Sequence, residues 1–205
     1  MNFKIKQQSG ILIFISGISG SSKTTIGKKL VEDHLENTIF IDQDLFFSRN
    51  KPITKLSTGE TVVVYDDEQA VSWEKLNHAL ESNLQSHNVV LVGFALWQDK
   101  IHIKPNLHFL LIRDHLVNGQ HNMETLPNIV YSARQNSSRF TGKKNEMLMV
   151  REVVIPFYFK TLAKLGPVIK IEVMVQENGQ YQTKPVHVVV GECMKHIQEY
   201  LPNIC

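Results

Sequence analysis

Apolar residues along this chain follow two alternating patterns. Short, almost wholly apolar runs at residues 11–15, 88–94 and 107–112 are typical of buried strands in a parallel sheet. Between them, apolar residues recur every three or four positions, as at residues 23–35 and 72–86, which predicts amphipathic helices. Strands that alternate with helices in this way predict an α/β fold, with a parallel sheet of about five strands between helices.

The rest of the chain adds further elements. Residues 38–41 and 168–173 are strand-like, and residues 61–65, after a polar loop at 48–59, form either a strand or an extended loop. Helical patterns cover residues 125–140, 146–165 and 186–201, and a hairpin turn falls at 177–180. Pro156 is expected to kink the second of these helices. Because no linker divides the chain, we predict a single domain over residues 1–205, with a lid at about residues 125–145.

A glycine-containing turn joins the first predicted strand to the first predicted helix. Its sequence, Gly-Ile-Ser-Gly-Ser-Ser-Lys-Thr-Thr at residues 17–25, nearly matches the phosphate-binding motif G-x-x-x-x-G-K-[ST]. In that motif, backbone N–H groups and the start of the helix bind phosphate, the lysine contacts the β and γ phosphates, and the hydroxyl binds Mg²⁺. An ordinary strand-to-helix turn is the alternative. The predicted cofactors are ATP and Mg²⁺, and the predicted nucleotide-binding residues are Gly17, Ser19, Gly20, Ser21, Ser22, Lys23, Thr24 and Thr25.

Ser22 stands where the motif has its second glycine. Glycine is favoured at such a position because the loop often requires a positive φ, at which a Cβ atom is crowded. We therefore expect Ser22 to weaken the loop without excluding phosphate binding.

Further polar residues follow the other predicted strands, at the edge where parallel sheets bind ligands. The carboxylate of Asp44 would orient or deprotonate a hydroxyl that attacks the γ-phosphate, and a helix cap is its alternative role. Asp42 is the weaker candidate. It lies two residues after Phe40 in the strand pattern, which suggests that its side chain faces along the strand and not toward a ligand. Arg134 and Arg139 would cover the phosphates, unless they lie on a solvated helix face.

Composition excludes several classes of protein. A hydrophobic fraction of 42%, a charged fraction of 20% and a net charge of +2 are ordinary for a globular domain and argue against a dedicated nucleic-acid binder. Cys193 and Cys205 offer no disulfide framework, and the nine histidines show no zinc-protease spacing. No apolar run approaches the ~18 residues of a membrane span. We expect a cytoplasmic protein that binds neither membranes nor nucleic acid.

Six segments recur in the order seen in one known family. They are residues 17–25, Asp42-Gln43-Asp44-Leu45-Phe46-Phe47, Tyr65-Asp66, residues 90–96 with Gly93-Phe94, the region of Arg134, and Pro156-Phe157-Tyr158-Phe159-Lys160. Together they resemble the nicotinamide riboside kinases, within the uridine kinase-like group of P-loop kinases. The resemblance covers about residues 11–165 and implies a P-loop NTPase-type sheet with a small helical lid.

The resemblance also implies roles for single residues. Asp44 matches the family's catalytic aspartate, and Lys23 and Arg134 complete the predicted catalytic set. The family's lid arginines fall near Arg134 and Arg139. Asp66 matches the aspartate that holds the ribose hydroxyls.

Three aromatic residues belong to the same implied acceptor site. Phe47, Tyr65 and Tyr158 would offer ring faces to a flat heterocycle, and a cationic nicotinamide ring would add a cation–π interaction. Core packing is the alternative for all three. With Asp44 and Asp66 they make up the predicted substrate-binding residues.

The sequence departs from the family at the metal site. There the central strand ends in Glu-Gly-Phe, and the glutamate helps to hold Mg²⁺; here the strand ends in Val92-Gly93-Phe94. Leu45 also replaces the second aspartate of the catalytic loop. The predicted metal-binding residues are therefore Thr24 and Asp44.

These observations predict an ATP-dependent kinase that phosphorylates the 5′-hydroxyl of a small ribonucleoside, most like nicotinamide riboside. Uridine or cytidine is the alternative acceptor. A nucleotide-binding protein that has weakened or lost catalysis and acts through a partner is the alternative from another class, and Val92 and Ser22 are the residues that suggest it. We expect a monomer or a weak homo-oligomer.

Overall fold

A five-stranded parallel sheet forms the centre of the fold. The computed structural model describes residues 10–94, 96–113, 116–117, 120–122, 124–135, 145–177 and 180–201. The strands are β1 (Leu12–Gly17), β2 (Thr38–Asp42), β3 (Ile53–Lys55), β4 (Thr61–Val63), β5 (Asn88–Gly93), β6 (Leu107–Ile112), β7 (Leu116–Val117), β8 (Gln120–His121), β9 (Ile169–Glu172), β10 (Met174–Glu177) and β11 (Gln180–Thr183). The helices are α1 (Lys23–Asp33), α2 (Trp73–Asn83), α3 (Leu126–Gln135), α4 (Glu146–Met149), α5 (Ile155–Leu162) and α6 (Val186–Tyr200).

The order of strands in the central sheet is β2-β5-β1-β6-β9, and all its pairs are parallel. Strand β1 therefore lies in the middle, and the loop that follows it lies at the centre of the carboxyl edge. At this edge Ser16 pairs with Gly93, and Asp42 pairs with Val92. The predicted α/β fold with about five parallel strands is confirmed.

Helices cover both faces of the sheet, because successive side chains of each strand point to opposite sides. On one face, Ile13 and Ile15 of β1 pack with residues of α1 and α6. On the other, Leu12 and Phe14 pack with residues of α2. In the described ranges no helix combines the length and the apolar character needed to cross a bilayer.

A small antiparallel hairpin, β3–β4, lies in the region after β2. The prediction of a polar loop is wrong for Ile53–Lys55, whereas the strand alternative for the following segment is confirmed over Thr61–Val63. Tertiary packing explains the difference, since Leu56, Val62 and Val64 are buried against residues of α4 and the turn that follows it. Local polarity carries no information about such distant contacts.

The predicted helical stretch around Pro156 is divided into α4, a π-turn at Val150–Val154 and α5. Pro156 falls at the first turn of α5, where a missing N–H group costs least. The wider π-turn directly precedes it, and the expected kink at Pro156 stays a prediction. Residues 136–144 of the predicted lid and 178–179 of the predicted hairpin turn lie outside the described residues.

Candidate nucleotide and acceptor site

The loop at residues 17–22 is wound so tightly that two of its positions require glycine. A Cβ atom on Gly17 would lie 2.6 Å from Ser21 Oγ and 2.8 Å from the carbonyl oxygen of Leu111. Gly20 has a φ of 83°, and a Cβ there would collide with Ala133 of α3. The loop thus has the compact form that directs backbone N–H groups toward an anion, and α3 lies directly against it.

Ser22 adopts the left-handed conformation, with φ 62° and ψ 15°. The positive φ expected at this position of the motif is therefore confirmed. Ser22 is also the N-cap of α1, yet its side chain makes no capping hydrogen bond. The serine side chain thus adds strain without a cap to compensate for it.

Substitution of Ser22 by glycine is expected to stabilise the protein by about 0.5–1 kcal/mol, because glycine removes the Cβ strain but increases the entropy of the unfolded chain. Urea unfolding measures the change. The matched control is Asn37→Gly, at the other described non-glycine residue with positive φ, whose side chain donates to the Ser86 carbonyl at 2.9 Å. That variant should lose stability. A Ser22→Gly variant less stable than the unaltered protein would contradict the inferred strain.

Lys23 and Thr24 begin helix α1 directly after the loop. The Lys23 ammonium is buried and donates to the carbonyl of Ile18 in the loop at 3.4 Å. The Thr24 hydroxyl donates to Oδ2 of Asp42, 3.2 Å away at the end of β2. The other carboxylate oxygen of Asp42 accepts from the backbone N–H of Asp44 at 3.0 Å. Asp42 therefore connects the loop to Asp44.

Asp44 is half-buried and lines a cleft beside this edge of the sheet. Aromatic rings and carboxylates dominate the described lining, which includes Asp44, Phe47, Tyr65, Asp66, Trp73 and Phe94. The rings of Phe47 and Tyr65 meet edge to face, with their centroids 5.2 Å apart. The Lys51 ammonium lies 5.9 Å and 5.3 Å from these two centroids, so the ring pair already attracts a cation.

Asp66 is a buried carboxyl group of the cleft. Burial raises its pKa to about 6, and the positive charges of Arg134 and Lys23 oppose this increase. Its Oδ1 atom has no hydrogen-bond partner among the described residues. A buried oxygen of this kind is costly unless a ligand binds it, which makes Asp66 a strong candidate for contact with a bound molecule.

Arg134 follows Ala133, which lies against the loop, and its side chain forms a salt bridge with Glu146. Its Nε atom donates to Oε1 of Glu146 at 2.7 Å, and both side chains are almost fully buried. The pair fixes α3 to α4, since a buried charge left alone would be very unfavourable. Arg139 lies outside the described residues.

Tyr158 lies behind the cleft. Its ring is buried, with its centroid 6.2 Å from that of Phe94 and 5.7 Å from that of Phe159. Phe94 lines the cleft together with Phe47 and Tyr65, whereas Tyr158 is not among the described lining residues. The predicted contact between Tyr158 and a substrate ring stays a prediction.

Comparison with known proteins gives one partial match to a curated sequence. The human protein nicotinamide riboside kinase 1 is 38% identical to this chain over 82 residues, which are 38% of this chain and 39% of the human protein. The match thus spans well under half of the length of this relative. A scan against protein-family models found no match.

Solved structures share the architecture over nearly the whole chain. A sugar kinase from Janibacter sp. HTCC2649 aligns over 94% of this chain and 96% of its own, with a TM-score of 0.56 and 16% identity. A gluconokinase from Sinorhizobium meliloti 1021 aligns over 96% and 95%, with a TM-score of 0.50 and 15% identity. This chain shares the fold of these two kinases. The predicted resemblance to the P-loop kinases is confirmed.

Two side-chain contacts of this site are not predicted from the sequence. The first is the contact of Asp42 with Thr24, which the parity of Asp42 with Phe40 could have indicated, since Phe40 packs on the α1 face of the sheet. The second is Glu146, the buried partner of Arg134. A single sequence gives no signal for such a pairing, because it depends on how α3 and α4 meet.

Proposed function

We propose that this protein transfers the γ-phosphoryl group of ATP to the 5′-hydroxyl of a small ribonucleoside, with nicotinamide riboside as the preferred acceptor. One observation carries the proposal: Asp42 hydrogen-bonds both Thr24 after the loop and the backbone of Asp44 in the cleft. A nucleotide on the loop and an acceptor in the cleft would therefore meet beside Asp44.

The chain's own residues suffice to position the reaction. The loop N–H groups and Lys23 would hold the β and γ phosphates, and Asp44 would accept the proton of the 5′-hydroxyl as its oxygen bonds to the γ-phosphorus. The bond from that phosphorus to the β–γ bridging oxygen breaks, and ADP leaves. Arg134, fixed by Glu146, would add positive charge beside the transferring group.

Mg²⁺ fits the donor atoms at this edge. The hydroxyl of Thr24 and the carboxylates that follow β2 are oxygen donors, which Mg²⁺ prefers. When bound, the ion would neutralise charge on the phosphate oxygens. The metal role predicted for Asp44 is part of this proposal.

Aromatic and acidic groups in the cleft support a cationic base as the acceptor ring. Phe47 and Tyr65 already bind the Lys51 ammonium over their rings, and Asp44 and Asp66 add negative charge. A pyridinium ring would gain from both, whereas uracil and cytosine are neutral. Asp66, with its unpartnered oxygen, would accept from the ribose hydroxyls. We further propose a cytoplasmic monomer or weak homo-oligomer.

A panel of acceptors tests this function. The purified protein is incubated with ATP, Mg²⁺ and nicotinamide riboside, its reduced uncharged form, uridine, cytidine or gluconate, and ADP release is followed. Nicotinamide riboside should give the highest kcat/KM, and its reduced form tests the role of the ring charge. A preference for uridine or cytidine would establish the alternative acceptor. ATP binding without turnover of any acceptor would overturn the proposed catalysis.

A further inference from the structure

Asp42 and Val92 are neighbours at the edge of the sheet that carries the phosphate loop. Asp42 ends β2, Val92 lies near the end of β5, and the two are paired in register. Val92 faces α1, because a Cβ atom built on Gly27 would lie 2.6 Å from its Cγ1. The same Cβ would lie 3.0 Å from the ring of Phe40.

The side chain of Asp42 therefore points to the same face. It stands two residues after Phe40 in β2, and residues two apart in a strand share a face. Its contact with Thr24, in the first turn of α1, confirms this direction. The two neighbouring positions that face the start of α1 thus hold one apolar side chain, Val92, and one carboxylate, Asp42.

We propose that Asp42 supplies the metal-facing carboxylate of this site, the role for which Val92 has no suitable group. The ligand is a divalent cation bound together with the phosphates of a nucleotide. Thr24 contributes its hydroxyl, and Asp42 acts on the ion directly or through a water molecule. This inference rests on the proposed function, because the cation arrives with the nucleotide of that reaction.

Two buried oxygens, one in the loop and one in the cleft, favour a bound ligand at this edge of the sheet. Neither Ser21 Oγ in the loop nor Asp66 Oδ1 in the cleft has a hydrogen-bond partner among the described residues. The positive charge of Lys23 acts on the carboxyl group of Asp66. Asp42 is itself only half-buried, so an ion can reach it. The hydroxyl of Thr24 and the carboxylate of Asp42 are oxygen donors, which match a hard cation such as Mg²⁺ or Mn²⁺.

A purely structural role is the alternative for Asp42, since Oδ1 caps the short 3₁₀ turn Gln43–Phe46 through the N–H of Asp44. The variant Asp42→Asn separates the two roles. Asparagine keeps an oxygen that can accept from this N–H, but it removes the charge that a cation needs. The matched control is Asp67→Asn, because Asp67 caps the other short turn, Glu68–Ala70, through the N–H of Gln69 at 2.8 Å.

The experiment measures Mn²⁺ binding to the full chain saturated with a non-hydrolysable ATP analogue, by electron paramagnetic resonance. Asp42→Asn should raise the dissociation constant of Mn²⁺ about tenfold or more, and Asp67→Asn should leave it unchanged. A change of less than twofold in Asp42→Asn, or an equal change in both variants, would overturn the inference. So would a lack of Mn²⁺ binding in the unaltered protein.

This readout needs no acceptor and no turnover, so it fails independently of the proposed kinase activity. If Mn²⁺ binding depends on Asp42 but no nucleoside is phosphorylated, the metal assignment stands and the proposed function fails. If a nucleoside is phosphorylated while Asp42→Asn binds Mn²⁺ normally, the function stands and this assignment fails.

Discussion

Replacing Asp44 by asparagine is expected to remove most of the phosphoryl transfer while the affinity for ATP stays nearly unchanged. The expected loss in kcat is about 10²- to 10⁴-fold, the usual contribution of a positioned general base. The reason is chemical. The asparagine amide has nearly the shape of the carboxylate, but it cannot take the proton of the acceptor hydroxyl.

The structure favours a clean result for this variant. Asp44 lines the cleft. The short turn that contains Asp44 is capped through a hydrogen bond from the backbone N–H of Asp44 to Asp42. The substitution changes only the side chain of residue 44, so this hydrogen bond stays in place. Initial rates with saturating ATP, and the affinity for a non-hydrolysable ATP analogue by calorimetry, measure the two effects. The control is Asp99→Asn at an exposed carboxylate, which should behave as the unaltered protein. An unchanged rate in Asp44→Asn would end the role assigned to this residue.

Replacing Asp66 by asparagine is expected to stabilise the fold at pH 8 and to weaken acceptor binding. Because burial raises the pKa of Asp66 from 3.8 to about 6, the folded state favours the protonated carboxyl more than the unfolded state does. Folding stability is therefore lost as the pH rises from about 4 through 6. This difference in pKa between the unfolded and folded states corresponds to a loss of about 3 kcal/mol in folding stability above pH 7. The neutral amide of asparagine would avoid that loss.

Thermal unfolding at pH 4 and pH 8 tests this prediction. Asp66→Asn should raise Tm at pH 8 by roughly 5–10 °C for a chain of this size and change it little at pH 4. At the same time KM for the nucleoside should rise, because the amide replaces the carboxylate that we propose binds the ribose hydroxyls. Asp67→Asn keeps an oxygen that can accept the capping hydrogen bond from Gln69, so it should change Tm little at both pH values. A loss of stability in Asp66→Asn at pH 8 would contradict the unfavourable burial of this charge.

Opposite effects on stability and binding are expected where a protein keeps a strained group for function. Asp66 is such a group if it binds the acceptor as proposed, and Ser22, in the loop, is a second strained position. The carboxylate of Asp66 is buried without a hydrogen-bond partner for Oδ1 among the described residues, and the backbone of Ser22 is held at a positive φ. A fold optimised only for stability would have neither feature.

The sequence predicts the centre of the sheet well because the middle strands β5, β1 and β6 are buried on both faces. The predicted strand at residues 107–112 coincides with β6, and the helix predicted from Lys23 begins at Lys23. Both boundaries follow from strong local signals: a continuous apolar run in one case and a glycine turn before an amphipathic stretch in the other. The hairpin β3–β4 lacked such a signal, because contacts with distant residues bury it.

The sequence predicts which residues line the candidate site, but it does not predict the contacts between their side chains. Phe47, Tyr65, Asp44 and Asp66 do line one cleft, as the order of the motifs implied. The face of the Asp42 side chain follows from its parity with Phe40, but its contact with Thr24 depends on how α1 packs against β2, which the sequence does not reveal. From the sequence alone Asp42 is a weaker candidate than Asp44, yet it is the residue that contacts Thr24.

The most direct test of the central claim is to identify the product formed from ATP, Mg²⁺ and nicotinamide riboside by the purified protein, using phosphorus NMR and mass spectrometry. We predict one mononucleotide, phosphorylated on its 5′-oxygen, for each ADP released, and almost none with Asp44→Asn. ADP release without a phosphorylated nucleoside, or bound ATP that is never consumed with any ribonucleoside, would contradict the claim that this protein is a nucleoside kinase.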